Sequence, residues 1–144
     1  MARSLQKRPD MSGETVRNYM TESPITVERI QPMSAAHRLM REHHIRHLPV
    51  TAKGRLVGVV SQRDLHFVET LRDVDPDVVL VEEAMTETPY TVGPGARLET
   101  VARTMAARRI GSVVVVDRGR VVGLFTATDA LRALSEQLAA RRKR

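Results

Sequence analysis

Apolar positions recur at helical spacing in two stretches of the chain. Met33, Ala36 and Met40 form one stripe, and Leu98, Val101, Ala102 and Met105 form another. Each predicts an amphipathic helix. Behind each helix lie two β-rich runs around a short turn. His47–Thr51 and Leu56–Val60 flank Ala52-Lys53-Gly54; Ser112–Val116 and Val121–Phe125 flank Asp117-Arg118-Gly119. Both pairs predict hairpins. The run Val113-Val114-Val115-Val116 is continuous rather than alternating, as in a strand buried on both faces. A second helix follows each hairpin, marked by Leu65, Val68 and Leu71 and by Leu131, Leu134 and Leu138. Pro24 and Pro89 each precede a short strand, because proline blocks continuation of a helix. Between the halves, Asp75 before Pro76 predicts a helix start, with a short helix over 78–85.

The two halves are copies. Shifted by 65 residues, Met20-Thr21-Glu22-Ser23-Pro24-Ile25-Thr26-Val27 lies on Met85-Thr86-Glu87-Thr88-Pro89-Tyr90-Thr91-Val92, and Gly54-Arg55-Leu56-Val57-Gly58 lies on Gly119-Arg120-Val121-Val122-Gly123. Over Val16–Asp64, 16 of 49 positions equal their counterparts without a gap. That excess over chance identifies two copies of one supersecondary unit. A unit of roughly 55 residues buries too little surface to be stable alone, so the copies are expected to pack together. The expected division is 14–73 and 77–139, with 1–13 and 140–144 as flexible ends.

Composition narrows the chemistry. The chain has no Cys and no Trp, and aromatic residues make up 3% of it. Thiolate metal sites, disulfides and cysteine nucleophiles are excluded, and little aromatic surface is left for stacking bases. No apolar run approaches the ~20 residues of a membrane span, and residues 1–10 lack the apolar region of a secretory signal, so a cytoplasmic location without membrane contact is expected. The net charge is +6, of which residues 132–144 carry +4. Basicity at a helix end complements the helix dipole. His37, His43, His44 and His47 cluster in sequence, but no set of ligands for a metal is completed, and none is expected. No nucleophile elbow, phosphate-binding loop or dinucleotide fingerprint is present, which argues against an enzyme.

The β-α-β-β-α order, the Met-Thr-x-x-Pro-x-Thr opening, the run Ile45-Arg46-His47-Leu48-Pro49-Val50 and the Gly-x-x-(Ser/Thr)-x-x-Asp ending resemble the cystathionine-β-synthase (CBS) domain family over residues 14–139. The resemblance implies an α+β fold of two tandem CBS repeats packed as a pseudo-twofold pair. It also implies assembly into a homodimer. Two clefts between the repeats would bind adenosine-containing ligands such as AMP, ADP, ATP or S-adenosylmethionine, with no cofactor required. One cleft would join Thr21, Thr26, Ile45 and Arg46 with Leu124, Thr126 and Asp129. The other would join Thr86, Thr91, Ile110 and Gly111 with Val59, Ser61 and Asp64. A basic residue at the position of His47 faces phosphate in many relatives; its counterpart Ser112 carries no charge. The cleft of Asp64 is therefore expected to suit a phosphorylated ligand better, and that of Asp129 to borrow charge from Arg46.

The segments Gly58–Asp64 and Gly123–Asp129 each run from a strand into a helix start. Free N–H groups there favour an anion, the glycines permit close backbone approach, and Asp64 or Asp129 can accept ribose hydroxyls. Ser61-x-x-Asp64 and Thr126-x-x-Asp129 read equally as capping boxes that need no ligand. Two functions follow. The first is a free-standing regulatory sensor of an adenosine nucleotide or metabolite, acting through an effector protein. The alternative is a ligand-free dimerisation or interaction module whose basic C-terminal tail contacts a partner protein or nucleic acid. Nucleic acid is the less favoured partner.

Overall fold

The computed structural model describes residues 13–143. A 3-10 turn (Val16–Asn18) leads into β1 (Thr21–Glu22), β2 (Val27–Glu28), α1 (Met33–His43), β3 (His47–Ala52), β4 (Arg55–Ser61) and α2 (Gln62–Glu69). A second 3-10 turn (Val81–Glu83) leads into β5 (Thr91–Val92), α3 (Leu98–Arg108), β6 (Ser112–Asp117), β7 (Arg120–Thr126) and α4 (Ala127–Arg142). The fold is α+β, and each half shows the expected β-α-β-β-α order.

The repeat extends to backbone detail. α1 and α3 end in left-handed residues, His44 (φ 54°) and Arg109 (φ 55°), 65 positions apart. Each hairpin closes through two residues of positive φ, Lys53-Gly54 and Arg118-Gly119. Two such residues give a turn whose twist matches the flanking strands. Each ladder also shifts register once, between Val50 and Thr51 and between Val115 and Val116. β2-β3-β4 make one sheet and β1-β7-β6-β5 the other, with β2 parallel to β3 and β5 parallel to β6. Val113, Val114 and Val115 are fully buried, which accounts for the unbroken apolar run.

The halves exchange their leading segments. β1 of the first repeat pairs with β7 of the second, Thr21 opposite Leu124. Thr86 forms the mirror-image bridge to Val59 of β4. Val16 is fully buried among Leu98, Val101, Val113 and Phe125, and Val81 among Met33, Leu48, Val60 and Leu65. Backbone bonds fix both: Val16 N–H donates to Ala96 and Leu98 N–H to Glu14, while Val81 N–H donates to Gln31 and Met33 N–H to Val79. Each core thus contains a side chain from the other repeat.

Two expectations change. The helix expected over 78–85 is only the turn Val81–Glu83. Asp75 caps a local turn instead, its Oδ1 accepting from Asp77 N–H at 2.9 Å. The backbone groups a helix would need are spent on the first repeat: Pro76 and Val79 carbonyls accept from Ser34 and Met33, and Glu82 N–H donates to Arg29. Residues 140–142, expected to be flexible, continue α4. Ala139 and Ala140 favour helix, and Arg141 and Arg142 complement its C-terminal dipole. The leucine stripe of α4, whose period fits either a core or a contact face, lies outside the core. Leu131, Leu134 and Leu138 are 65%, 49% and 50% exposed, and α4 buries Asp129 and Ala133 instead. Leu71 of the first repeat is also exposed, beyond the end of α2.

Candidate functional site

The two strand-to-helix junctions are the chemically equipped places in the fold. Ser61 caps α2, and Asp64 answers it: Ser61 N–H donates to Asp64 Oδ2 (2.8 Å) and Asp64 N–H donates to Ser61 Oγ (3.0 Å). At α4, Thr126 N–H donates to Asp129 Oδ2 (2.8 Å), the Thr126 hydroxyl donates to the same oxygen (3.1 Å), and Asp129 N–H donates back to Thr126 Oγ1 (3.4 Å). The capping-box pattern is therefore realised at both junctions. The expected free N–H groups are largely occupied. Besides those of Asp64 and Asp129, Gln62 N–H donates to Arg46 and Ala127 N–H donates to Gly111.

Capping uses one oxygen of each carboxylate, and the two sites differ in the other. Asp129 Oδ1 lies 3.4 Å from an Arg132 guanidinium nitrogen, and the residue is 7% exposed. Asp64 Oδ1 has no hydrogen-bond or ion-pair partner among the described residues, and the residue is half-buried. The Asp129–Arg132 pair was open to sequence reasoning, because charges three apart on a helix are neighbours.

His47 stands at the Asp64 junction. It opens β3 directly opposite Ser61 of β4, and its ring reaches the second repeat, where a methyl group at Gly111 would lie 3.4 Å from Nε2. Burial pushes the imidazole below its ordinary pKa; Asp64 opposes this, and Arg46 adds to it. Folded His47 therefore holds its proton less tightly than the unfolded chain does. Its contribution to stability is complete above about pH 6.5 and is lost as pH falls through the lowered folded value. The urea midpoint is expected to drop between pH 7.5 and pH 5, and His47→Gln to flatten that dependence. An unchanged slope in the variant would remove His47 as its source.

The remaining candidates fall into two groups. Thr21 and Leu124 face each other in the β1–β7 ladder, as Val59 and Thr86 do in their bridge. Both repeats thus contribute backbone next to each junction. Thr21, Thr26, Arg46, Thr86 and Thr91 are exposed. Ile45 and Ile110 pack against the cores of their own repeats. No hydrogen bond among the described residues ties Thr26, Ile45 or the Arg46 side chain to Asp129, or Thr91 or Ile110 to Asp64.

A methyl group at Gly58 would sit 2.6 Å from both the Thr86 carbonyl oxygen and the Met85 sulfur, and one at Gly123 would run into the Met20 sulfur. The close approach these glycines permit is that of the opposite repeat's Met-Thr opening. Met20 and Met85 were missed as site-forming residues, although the repeat displays them. Of the other histidines, His44 terminates α1, His37 is hydrogen-bonded to Glu69, and His66 stacks on His37. Among the described residues no group of three metal-binding side chains is assembled. No described helix is long and apolar enough to cross a membrane.

Fold and junctions together define a class: a tandem α+β module with two quasi-equivalent strand-to-helix junctions, each lying on a strand that pairs with the opening segment of the other repeat. The chain belongs to the CBS domain family, which matches residues 16–68 and 81–136. It is 34% identical over 141 residues to an inosine-5'-monophosphate dehydrogenase of Korarchaeum cryptofilum, covering 96% of this chain but 28% of the dehydrogenase. It is similar to the CBS domain pair of the protein MJ0100 in complex with 5'-methylthioadenosine and S-adenosyl-L-methionine (TM-score 0.79, 28% identity, 86% of this chain and 98% of that one). It is also similar to CBSX2 in complex with AMP (TM-score 0.74, 27% identity, 86% and 98%).

Proposed function

We propose that this chain is a regulatory ligand sensor that binds an adenosine-containing nucleotide or metabolite between its repeats, with the cleft of Asp64 as the principal site. The observation that carries the choice of cleft is the unpartnered second oxygen of Asp64, beside His47 and the Val59–Thr86 bridge. A carboxylate with a free oxygen can accept ribose hydroxyls. The corresponding oxygen of Asp129 already faces Arg132. The structural neighbours support the ligand class, since one holds AMP and another holds S-adenosylmethionine and its methylthio relative. The role is binding rather than catalysis, and its output passes to an effector protein. In the matched dehydrogenase, the part that this chain does not cover is the larger one.

Thermal unfolding with AMP, ATP or S-adenosylmethionine tests the proposal. A ligand at 100 times its dissociation constant stabilises by about 2.7 kcal/mol, or roughly 5–10 °C in a chain of this size. The shift is expected for at least one of the three, and Asp64→Ala is expected to lose most of it while Asp129→Ala keeps it. A phosphorylated ligand would raise the pKa of the neighbouring His47 on binding, so its affinity is expected to increase as pH falls from 7.5 to 6. No shift with any of the three would leave both aspartates as helix caps and refute the sensor reading.

A further inference from the structure

Of the described methionines, Met33, Met40 and Met105 are buried in the two cores, whereas Met20 and Met85 are half-buried. The half-buried two occupy equivalent positions, 65 residues apart, at the head of each Met-Thr opening. Each sets its sulfur on a glycine of the opposite repeat, Met85 on Gly58 of β4 and Met20 on Gly123 of β7. Each also packs against that repeat's core, Met85 on the first and Met20 on the second. The contact between sulfur and glycine is closed: a methyl group at Gly58 would already sit 2.6 Å from the Met85 sulfur. Backbone donors beside it are spent. Met85 N–H donates to the Val81 carbonyl, and the Val59 and Thr86 amides donate to each other's residues. The pair thus seals the places where the repeats exchange their leading segments.

We infer that Met20 and Met85 are oxidation-sensitive residues through which a peroxide loosens the contact between the two repeats, with Met85 having the larger effect. The inference concerns the exchanged openings and does not depend on whether the clefts bind a ligand. In the chemical step a lone pair of the thioether sulfur attacks one oxygen of hydrogen peroxide. The O–O bond breaks as the S–O bond forms. Sulfur is oxidised by two electrons, the peroxide is reduced to water, and the protein neither gains nor loses a proton. The product, methionine sulfoxide, is polar and larger by one oxygen. Exposure selects the two residues, since the core methionines are shielded until the fold opens. Geometry sets the consequence. The Met85 sulfur and the Thr86 carbonyl oxygen lie against the same face of Gly58. A sulfoxide oxygen there meets a carbonyl of like polarity and no spare backbone donor, so leaving it buried is costly. It must turn outward, which lifts Met85 off the first core and strains the Val59–Thr86 bridge. At Gly123 the atoms in the way belong to Met20 alone. That flexible side chain turns out more easily, at the cost of its contact with the second core.

Hydrogen peroxide treatment of the full chain, followed by peptide mass mapping, thermal unfolding and amide exchange, tests the inference. Met20 and Met85 are expected to gain oxygen ~10-fold or more faster than Met33, Met40 and Met105. The oxidised chain is expected to unfold roughly 5 °C or more below the untreated one, with exchange at the Val59 and Thr86 amides accelerated ~10-fold or more. Methionine sulfoxide reductases for both epimers are expected to restore the parent values. The double variant Met20→Leu with Met85→Leu nearly conserves volume and keeps every other methionine, Met1 and Met11 included. Its midpoint is expected to hold under the same treatment, and Met85→Leu alone to remove most of the drop. Earlier oxidation of a core methionine would overturn the inference, as would an unchanged midpoint and exchange rate once Met20 and Met85 are fully oxidised. Both of these are read on the parent chain and stand even where the double variant fails to fold. An undiminished drop in a folded double variant would overturn it too.

Discussion

Phe125→Ala should cost ~3–5 kcal/mol of folding free energy and lower the thermal midpoint by roughly 10 °C or more. Phe125 is fully buried on β7, where it packs with Val16, Leu98, Val101, Val113 and Val115. Its truncation leaves a void lined by stiff β-branched residues, which collapse poorly into empty space. Val16 belongs to the leading segment of the first repeat, so the damage is not confined to the second. Loss of the Phe125 contact loosens the seat of the opening that carries Met20 and β1. Calorimetry is expected to give one cooperative transition shifted downward. Two transitions, with the lower one alone displaced, would show that the repeats unfold independently despite the exchange.

The second large effect separates two glycines that the sequence makes equivalent. Gly58→Ala is expected to destabilise by ~1–3 kcal/mol through overpacking, and Gly123→Ala by distinctly less. At Gly58 the new methyl meets both a side chain and the Thr86 carbonyl oxygen, at 2.6 Å. That carbonyl accepts from Val59 N–H at 3.1 Å, while Thr86 N–H donates back to Val59 at 2.8 Å. Relief therefore requires the backbone bridge to open. At Gly123 all three nearest atoms belong to the Met20 side chain, which has three rotatable bonds and can swing away. Urea unfolding of the two variants measures the difference. Equal losses would show that Met20 is as confined as the backbone at Thr86. Because Gly58 lies on the strand that leads to Asp64, where ligand binding is proposed, Gly58→Ala is also expected to weaken any ligand-induced stabilisation there.

The contrast between these glycines illustrates what the sequence could carry. Internal repetition displayed the element order, both hairpins with their Lys53-Gly54 and Arg118-Gly119 turns, and the pairing of Asp64 with Asp129 as equivalent positions. Those features are local: turn chemistry, periodicity and capping are written in adjacent residues. Repetition establishes which residues correspond, but not which copy each packs on. The exchange of Val16 and Val81 between cores was therefore invisible. So was the failure of the segment after Asp75 to form a helix, because its N–H and carbonyl groups are claimed by Arg29, Gln31, Met33 and Ser34, about 50 residues away in sequence. The leucines of α4 carried a correct helical period, but period does not say whether a stripe faces its own sheet or another surface. At the clefts, residue types identified the junctions. The Asp129–Arg132 pair could be read from its spacing, but that Asp64 Oδ1 has no partner among the described residues needed coordinates.

The exchanged openings also bear on how such a chain could arise. Each half lends its buried valine to the other, Val16 to one core and Val81 to the other, and receives the same service in return. That reciprocity is the relation between subunits of a symmetric domain-swapped dimer, here drawn within one polypeptide. A half-length ancestor would have completed its core by pairing with an identical copy. Tandem duplication of its gene would have tethered the two partners and raised their effective concentration without requiring a new contact. Once tethered, the copies no longer had to be identical. The divergence of His66, Glu69 and Asp73 from Leu131, Leu134 and Leu138 is freedom of a kind that a two-chain ancestor could not have used.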